Sequence, residues 1–257
     1  MRVLLTGASG GIGAALARAF AEQGHFLLLQ GRDATRLAAL KDSLGDAACE
    51  SVLADLTVAE DRSRLCAAAI AHGVDTLCNN AGINQFGAFG ESDVARIIDV
   101  NVTATLQLTQ ELLPQLLRQP RPRLIIIGSA FGAIGFPGYT AYCTSKFALR
   151  GFAEALSREY ADSPLRVHYI SPRATATPMN SARVNALNAA LGTATDSAES
   201  VADRVLKALA SDTRRRQIGT TESLQSSLNA IAPSIVDRAL RGKLPLIKQH
   251  FKEMENA

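Results

Sequence analysis

Tyr142 and Lys146 stand four residues apart in the stretch Ser129–Lys146, SAFGAIGFPGYTAYCTSK. On a helix that spacing sets both side chains on one face, near enough for an ammonium to act on a phenol. A neighbouring positive charge favours the phenolate and lowers a tyrosine pKa. Ser129 follows Leu124-Ile125-Ile126-Ile127-Gly128, a short apolar run closed by glycine, which is the pattern of a buried parallel strand. It therefore falls at a strand's carboxyl end, where open α/β sheets place their ligands. A serine hydroxyl, a tuned phenol and a lysine make a proton-transfer set for alcohol and carbonyl chemistry. By itself Tyr-x-x-x-Lys is common on helix surfaces, so the set gains meaning only if the rest of the chain supplies a hydride carrier.

The amino-terminal segment has the features of a site for one. Arg2–Leu5 reads as a short strand, and Thr6-Gly7-Ala8-Ser9-Gly10-Gly11-Ile12-Gly13 follows it. The next segment carries Ile12, Leu16, Ala19 and Phe20 on one helical stripe. Glycines let backbone approach a pyrophosphate, and the helix N-terminus supplies N–H groups and a positive dipole end. A second strand, Phe26–Gln30, ends in Gly31-Arg32. NAD sites usually place a carboxylate there for the ribose 2′-hydroxyl. Here a guanidinium stands in its place, which favours the 2′-phosphate of NADP.

These groups need a scaffold, and the spacing predicts one. Asp33 caps a helix with Leu37, Leu40 and Leu44 on its stripe. Cys49–Leu53 reads as a third strand leading to Asp55-Leu56, with Asp55 placed to receive an adenine amino group or simply to form a turn. Thr57-x-x-Glu60 reads as a capping box for the third helix. Val74–Cys78 reads as a fourth strand, followed by Asn79-Asn80-Ala81-Gly82. Val94, Ile97, Ile98, Leu108 and Leu112 share a core-facing stripe with Asn101. Asn101 could make an amide–backbone bond for packing, or hold a water or a kinked helix beside the lysine; the pattern leaves both open. Four strand–helix alternations predict a doubly wound parallel sheet.

Composition narrows the class. The chain has 257 residues, 47% of them hydrophobic, ample for a core. A net charge of +3 with pI ≈ 8.8 is too mild and too dispersed for nucleic-acid binding. Cys49, Cys66, Cys78 and Cys143, and the four histidines, lack metal-ligand spacing, so no metal site is expected and the thiols read as reduced cores of a cytoplasmic protein. No apolar run approaches the roughly 18 residues of a membrane span, and no signal peptide precedes the first strand.

Taken jointly and in order, these motifs resemble the short-chain dehydrogenase/reductase family over roughly residues 2–220. The family's T-G-x-x-x-G-I-G matches Thr6–Gly13, its N-N-A-G matches Asn79–Gly82, its helix asparagine matches Asn101, and its Ser and Y-x-x-x-K match Ser129, Tyr142 and Lys146. Tyr139 is no alternative, because residue 143 is Cys. The resemblance implies a Rossmann-type, mostly parallel seven-stranded sheet with helices on both faces. It implies that Tyr142 is general acid in reduction and base in oxidation, that Ser129 steadies the carbonyl oxygen, and that Lys146 binds ribose hydroxyls and lowers the Tyr142 pKa. Asn101 would hold a water relaying protons to Lys146. Cofactor contacts are implied at Gly7, Ser9, Gly11, Ile12, Gly13, Arg32, Asp55, Leu56, Asn80, Ala81, Gly82, Tyr142, Lys146, Pro172, Thr175 and Thr177.

The chain departs from the family's P-G-x-V-x-T, reading Pro172-Arg173-Ala174-Thr175-Ala176-Thr177 after a strand at Arg166–Ile170. Arg173 replaces a glycine, and is expected to face solvent or an acidic substrate. Residues 178–195 read as a mobile lid, and Phe131, Ile134, Phe136, Tyr139 and Met179 as an apolar cleft wall. A helix at Ser197–Ala210 and a seventh strand at Gln217–Gly219 close a domain of residues 1–220. Residues 221–257 form an extension of that domain, with Leu224, Leu228, Ile231, Ile235 and Leu240 helically spaced around Pro233 and Arg238, Arg241, Lys243, Lys248 and Lys252 interspersed. Such a basic amphipathic tail packs over the cleft, against a second protomer, or on a membrane surface. The expected protein is an NADP(H)-dependent oxidoreductase acting on a hydrophobic ketone or secondary alcohol, with a 3-oxoacyl or lipid-like substrate as the sharper form, assembled as a homodimer or homotetramer. The rival is an NADP(H)-binding regulator or scaffold without turnover, or a membrane-surface lipid reductase.

Overall fold

Short runs of Leu, Ile and Val with no polar alternation can only be satisfied when both faces of a strand are covered. The computed structural model, which describes residues 1–251, covers them in that way. The strands are β1 (Arg2–Leu5), β2 (Phe26–Gly31), β3 (Cys49–Leu53), β4 (Thr76–Asn79), β5 (Arg123–Ile127), β6 (Arg166–Ser171), β7 (Thr175–Ala176), β8 (Asp196–Ser197) and β9 (Arg215–Gln217). Seven form one parallel sheet in the order β3-β2-β1-β4-β5-β6-β9, and β7 pairs with β8 alone. The order reverses between β1 and β4, which opens a crevice beyond the strands' carboxyl ends.

The helices are α1 (Gly11–Glu22), α2 (Ala34–Ser43), α3 (Ala59–Ala71), α4 (Val94–Ile98), α5 (Ala104–Leu117), α6 (Thr140–Glu159), α7 (Ala182–Ala190), α8 (Ala198–Ala210), α9 (Thr220–Ile231) and α10 (Pro233–Gln249). Val3, Leu5, Leu27, Leu29, Ile125 and Ile127 pack under α1, α2 and α8, while Leu4, Leu28, Leu124 and Ile126 pack under α3, α5 and α6. Each such side chain taken from water contributes about 1.5–3 kcal/mol. This is the doubly wound architecture that the strand–helix alternation predicts. Among the described residues no helix is long and apolar enough to cross a membrane. Lys252 and the last residues of the 221–257 extension lie outside the described residues.

Several local expectations are corrected. Thr57 does not cap α3: its N–H and hydroxyl both donate to Asp55 Oδ1, at 2.9 and 2.7 Å, and the cap position falls to Val58, which makes no side-chain bond. Val74 is buried but does not join β4, because its N–H closes the end of α3 on Ala69 O. The seventh strand is Arg215–Gln217, two residues before its expected place. The stripe from Val94 to Leu112 is interrupted by a π-helical turn, Asp99–Thr103, which shifts the helical phase and leaves Val94 exposed. The lid segment contains a capped helix: the Ser181 hydroxyl accepts from Val184 N–H, and Val184 and Leu187 of α7 are buried.

Candidate active site

The glycine turn after β1 is held from three sides. The Thr6 hydroxyl accepts from the N–H groups of Asn80 and Ala81, both at 3.0 Å. The Asn80 amide donates to Thr6 O and Gly7 O, and Gly7 N–H donates to Gln30 Oε1 at 2.9 Å. Gly7 takes φ +60°, a conformation that favours glycine. A Cβ on Gly13 would collide with the Gly7 carbonyl, and one on Gly11 would stand 2.6 Å from Thr177 Cγ2. The turn, α1 and the segment after β6 therefore close on one another, bringing Gly7, Gly11, Ile12, Gly13, Asn80, Ala81 and Thr177 together.

The cradle fits a dinucleotide's pyrophosphate. The cap residue of α1 is Gly10, its first turn carries no acidic side chain, and among the described residues no protein acceptor takes the N–H groups of Gly11, Ile12 and Gly13. Such a helix end is ready for an anion. At the far side, Arg32 Nη1 stands 3.6 Å from Asp55 Oδ2. Burial raises the Asp55 carboxyl, but the two Thr57 bonds and Arg32 outweigh it and hold the group below its ordinary value. Leu56 is buried in the core beside α3, and its carbonyl accepts from Arg62 Nη1 at 2.8 Å. Ser9 is half-buried against Gly31, where an added Cβ would meet its hydroxyl at 3.3 Å.

Across the crevice, β5 delivers Ser129 and α6 delivers Tyr142 and Lys146. The segment at Ser129 is pinned by Ala130 N–H donating to Pro172 O at 2.8 Å. Lys146 is buried and donates through Nζ to Ile127 O at 3.1 Å, with Nζ 5.6 Å from the Tyr142 ring centre. Asn101, fully buried in the π-turn, accepts from Ile83 N–H at 2.7 Å and donates to Ile83 O at 2.9 Å and to the Ser145 hydroxyl at 3.0 Å. It thus fixes the loop after Gly82 against α6, and an added Cβ on Gly82 would fall 3.2 Å from Asn101 Oδ1 and 3.8 Å from Lys146 Nζ.

The sequence matches the short chain dehydrogenase family over residues 1–188. The chain belongs to the short-chain dehydrogenase family. It is 38% identical to a nodulation protein G of Rhizobium meliloti over 176 residues, 66% of this chain and 71% of that protein. It is 36% identical to the oxidoreductase UcpA of Salmonella typhimurium over 185 residues, 68% and 70% of the two chains. A short-chain dehydrogenase from Sphingobium yanoikuyae, solved with NADPH, superposes with TM-score 0.77 at 26% identity, covering 100% of this chain and 98% of that one. Another from Burkholderia phymatum, solved with NAD, shares the fold with TM-score 0.83 at 22% identity, covering 91% and 94%.

Two electrostatic expectations fail in this short-chain dehydrogenase. Burial pushes the Tyr142 phenol well above its ordinary value, and hydrogen bonding with the Ser129 hydroxyl pulls it only partly back. The same burial pushes Lys146 down to about 8, so the amine keeps its charge near neutral pH but against the penalty of burial. Arg173 faces neither solvent nor an open cleft: its Nη2 donates to Asp196 Oδ1 at 2.6 Å, and Nη1 lies 3.9 Å from Glu222 Oε2. Thr175 is buried in β7, with its hydroxyl spent on Arg173 O. Sequence reasoning missed Gln30 and Ser145, which carry no motif, and gave Thr6 no role beyond the motif.

Of the residues expected to line the cleft, Phe131, Phe136 and Tyr139 fall into one packed apolar cluster with Phe86, Val184, Leu187 and Ile247, whereas Met179 is exposed. Arg183 ties this wall together, donating to Phe86 O at 2.7 Å and Phe251 O at 2.8 Å.

Proposed function

We propose that this short-chain dehydrogenase is an NADP(H)-dependent oxidoreductase that interconverts a hydrophobic ketone and its secondary alcohol. The observation that carries the reading is the placement of Ser129 just beyond β5 and of Tyr142 and the buried Lys146 one turn apart on α6, with Lys146 Nζ 5.6 Å from the Tyr142 ring centre. The bound dinucleotide supplies or accepts the hydride. In reduction, Tyr142 Oη, kept protonated by its burial, gives its proton to the carbonyl oxygen as negative charge develops there. In oxidation it takes that proton back. Ser129 Oγ hydrogen-bonds the same oxygen and steadies the charge. Lys146 serves the ribose side, and Asn101 acts through Ile83 and Ser145 as a positioning residue.

Arg32 supports NADP(H), since neither Gly31 nor Arg32 can repel a 2′-phosphate; the Sphingobium relative was solved with NADPH. The aromatic and aliphatic wall supports a hydrophobic substrate, with a 3-oxoacyl or similar lipid-like ketone as its sharper form. The burial of Ile247 of α10 against that wall supports reading residues 221–257 as an extension of the 1–220 domain. The exposed Val94 and Phe147 support a homodimer or homotetramer through the helices near residues 94–118 and 142–162.

The test is NADPH oxidation with a panel of ketones of increasing chain length. Tyr142→Phe should lower kcat by about 10²–10⁴-fold while NADPH still binds. Tight NADPH binding without turnover of any ketone would reject the enzyme reading.

A further inference from the structure

Helix α9 is turned inside out. Its polar side faces the protein: Glu222 approaches Arg173, and the Asn229 amide donates to Ala133 O at 2.9 Å. On its other side Leu228 is half-buried, but Leu224 is 70% and Ile231 84% exposed, and Ile235 at the start of α10 is 55% exposed. A helix whose large aliphatic side chains point outward while its polar ones are half-buried has not placed its hydrophobic stripe by folding alone. The next helix, α10, adds Arg238, Arg241, Lys243 and Lys248, all exposed, against Asp237. Among the described residues none of these four cations pairs with a carboxylate.

We propose that the α9–α10 hairpin docks this protein on an anionic lipid surface, with Leu224, Ile231 and Ile235 entering the acyl boundary and the α10 cations meeting the headgroups. Charge selects this occupant. A second copy docked symmetrically on the hairpin would bring cation against cation, whereas anionic headgroups neutralise them. Arg241 of α10 shares a groove with Phe147, whereas Leu224, Ile231 and Ile235 do not line it, and the proposal goes beyond the reductase reading without depending on it.

Full-length protein is sedimented with vesicles of phosphatidylcholine alone and of phosphatidylcholine mixed with phosphatidylglycerol. Wild type should pellet with the mixed vesicles, weakly with the neutral ones, and less at high salt. Leu224→Ser with Ile231→Ser should lower partitioning about tenfold or more, and Arg238→Gln with Lys243→Gln should do likewise for the mixed vesicles only. Unchanged thermal melting confirms that the variants fold, and the salt response of wild type needs no variant. Wild type remaining in the supernatant with both lipids overturns the proposal. So does equal binding to both, or an oligomer in sedimentation velocity that the serine variants dissolve while vesicles recruit nothing.

Discussion

Arg32 Nη1 lies 3.6 Å from Asp55 Oδ2, and the tighter bonds to that carboxylate come from Thr57 rather than from Arg32. Both partners are partly exposed, so the pair contributes about 0–1 kcal/mol at most. Arg32 is therefore oriented toward the end of β2 without being consumed there. Arg32→Ala should leave the melting temperature nearly unchanged, raise KM for NADPH by about ten- to a hundredfold, and leave KM for NADH close to wild type. Initial rates with the two cofactors decide it, and equal losses with both would show that Arg32 does not read a 2′-phosphate.

Lys146 gives a stability signature in protein without added dinucleotide. Its folded pKa is depressed to about 8 by burial, against 10.5 as a free side chain. Below pH of about 8 both folded and unfolded chains hold the proton, and the burial penalty is at full size. Between about 8 and 10.5 the folded chain has released it first, so stability rises with pH. Above about pH 9 the buried thiols oppose this, since Cys66 is pushed up to about 12 and Cys143 to about 11 by burial. Comparison with Lys146→Met removes those shared contributions. From about pH 7 to about pH 9, wild type should gain about 1 kcal/mol relative to the variant in urea unfolding. A flat difference across that range would mean that the folded amine titrates normally.

The sheet was legible because its strands are buried on both faces, so Leu124–Ile127 and Phe26–Gln30 could be read without any partner in view. The turn at Gly7–Gly13 and the trio Ser129, Tyr142 and Lys146 were legible for a similar reason: each is a local pattern. What failed depended on which partner or environment a residue takes, which local spacing does not decide. Thr57 can cap a helix or fold back on Asp55, and the same residue types serve both. The stripe of Leu224, Leu228 and Ile231 has the period of a core-facing helix, yet Arg173 and Ala133 claim the other side of α9. Lys146 and Tyr142 have helical spacing, but spacing does not reveal that burial raises the phenol, where a lowering was expected, and depresses the amine.

Arg173 shows how such a long-range contact can be measured. Its guanidinium sits between Asp196, which is 7% exposed, and Glu222, and the three leave Arg173 Nε, Asp196 Oδ2 and Glu222 Oε2 buried without partners. The pair joins β7 to β8 and holds the first turn of α9 to the segment after β6. Arg173→Ala would strand two carboxylates without their cation, at a cost of about 3–5 kcal/mol near neutral pH. Arg173→Gln combined with Asp196→Asn removes both charges of the close pair and should recover much of the loss. Urea unfolding of the two variants and wild type near neutral pH provides the comparison. A deficit for Arg173→Ala below about 0.5 kcal/mol would reduce the contact to an ordinary surface pair.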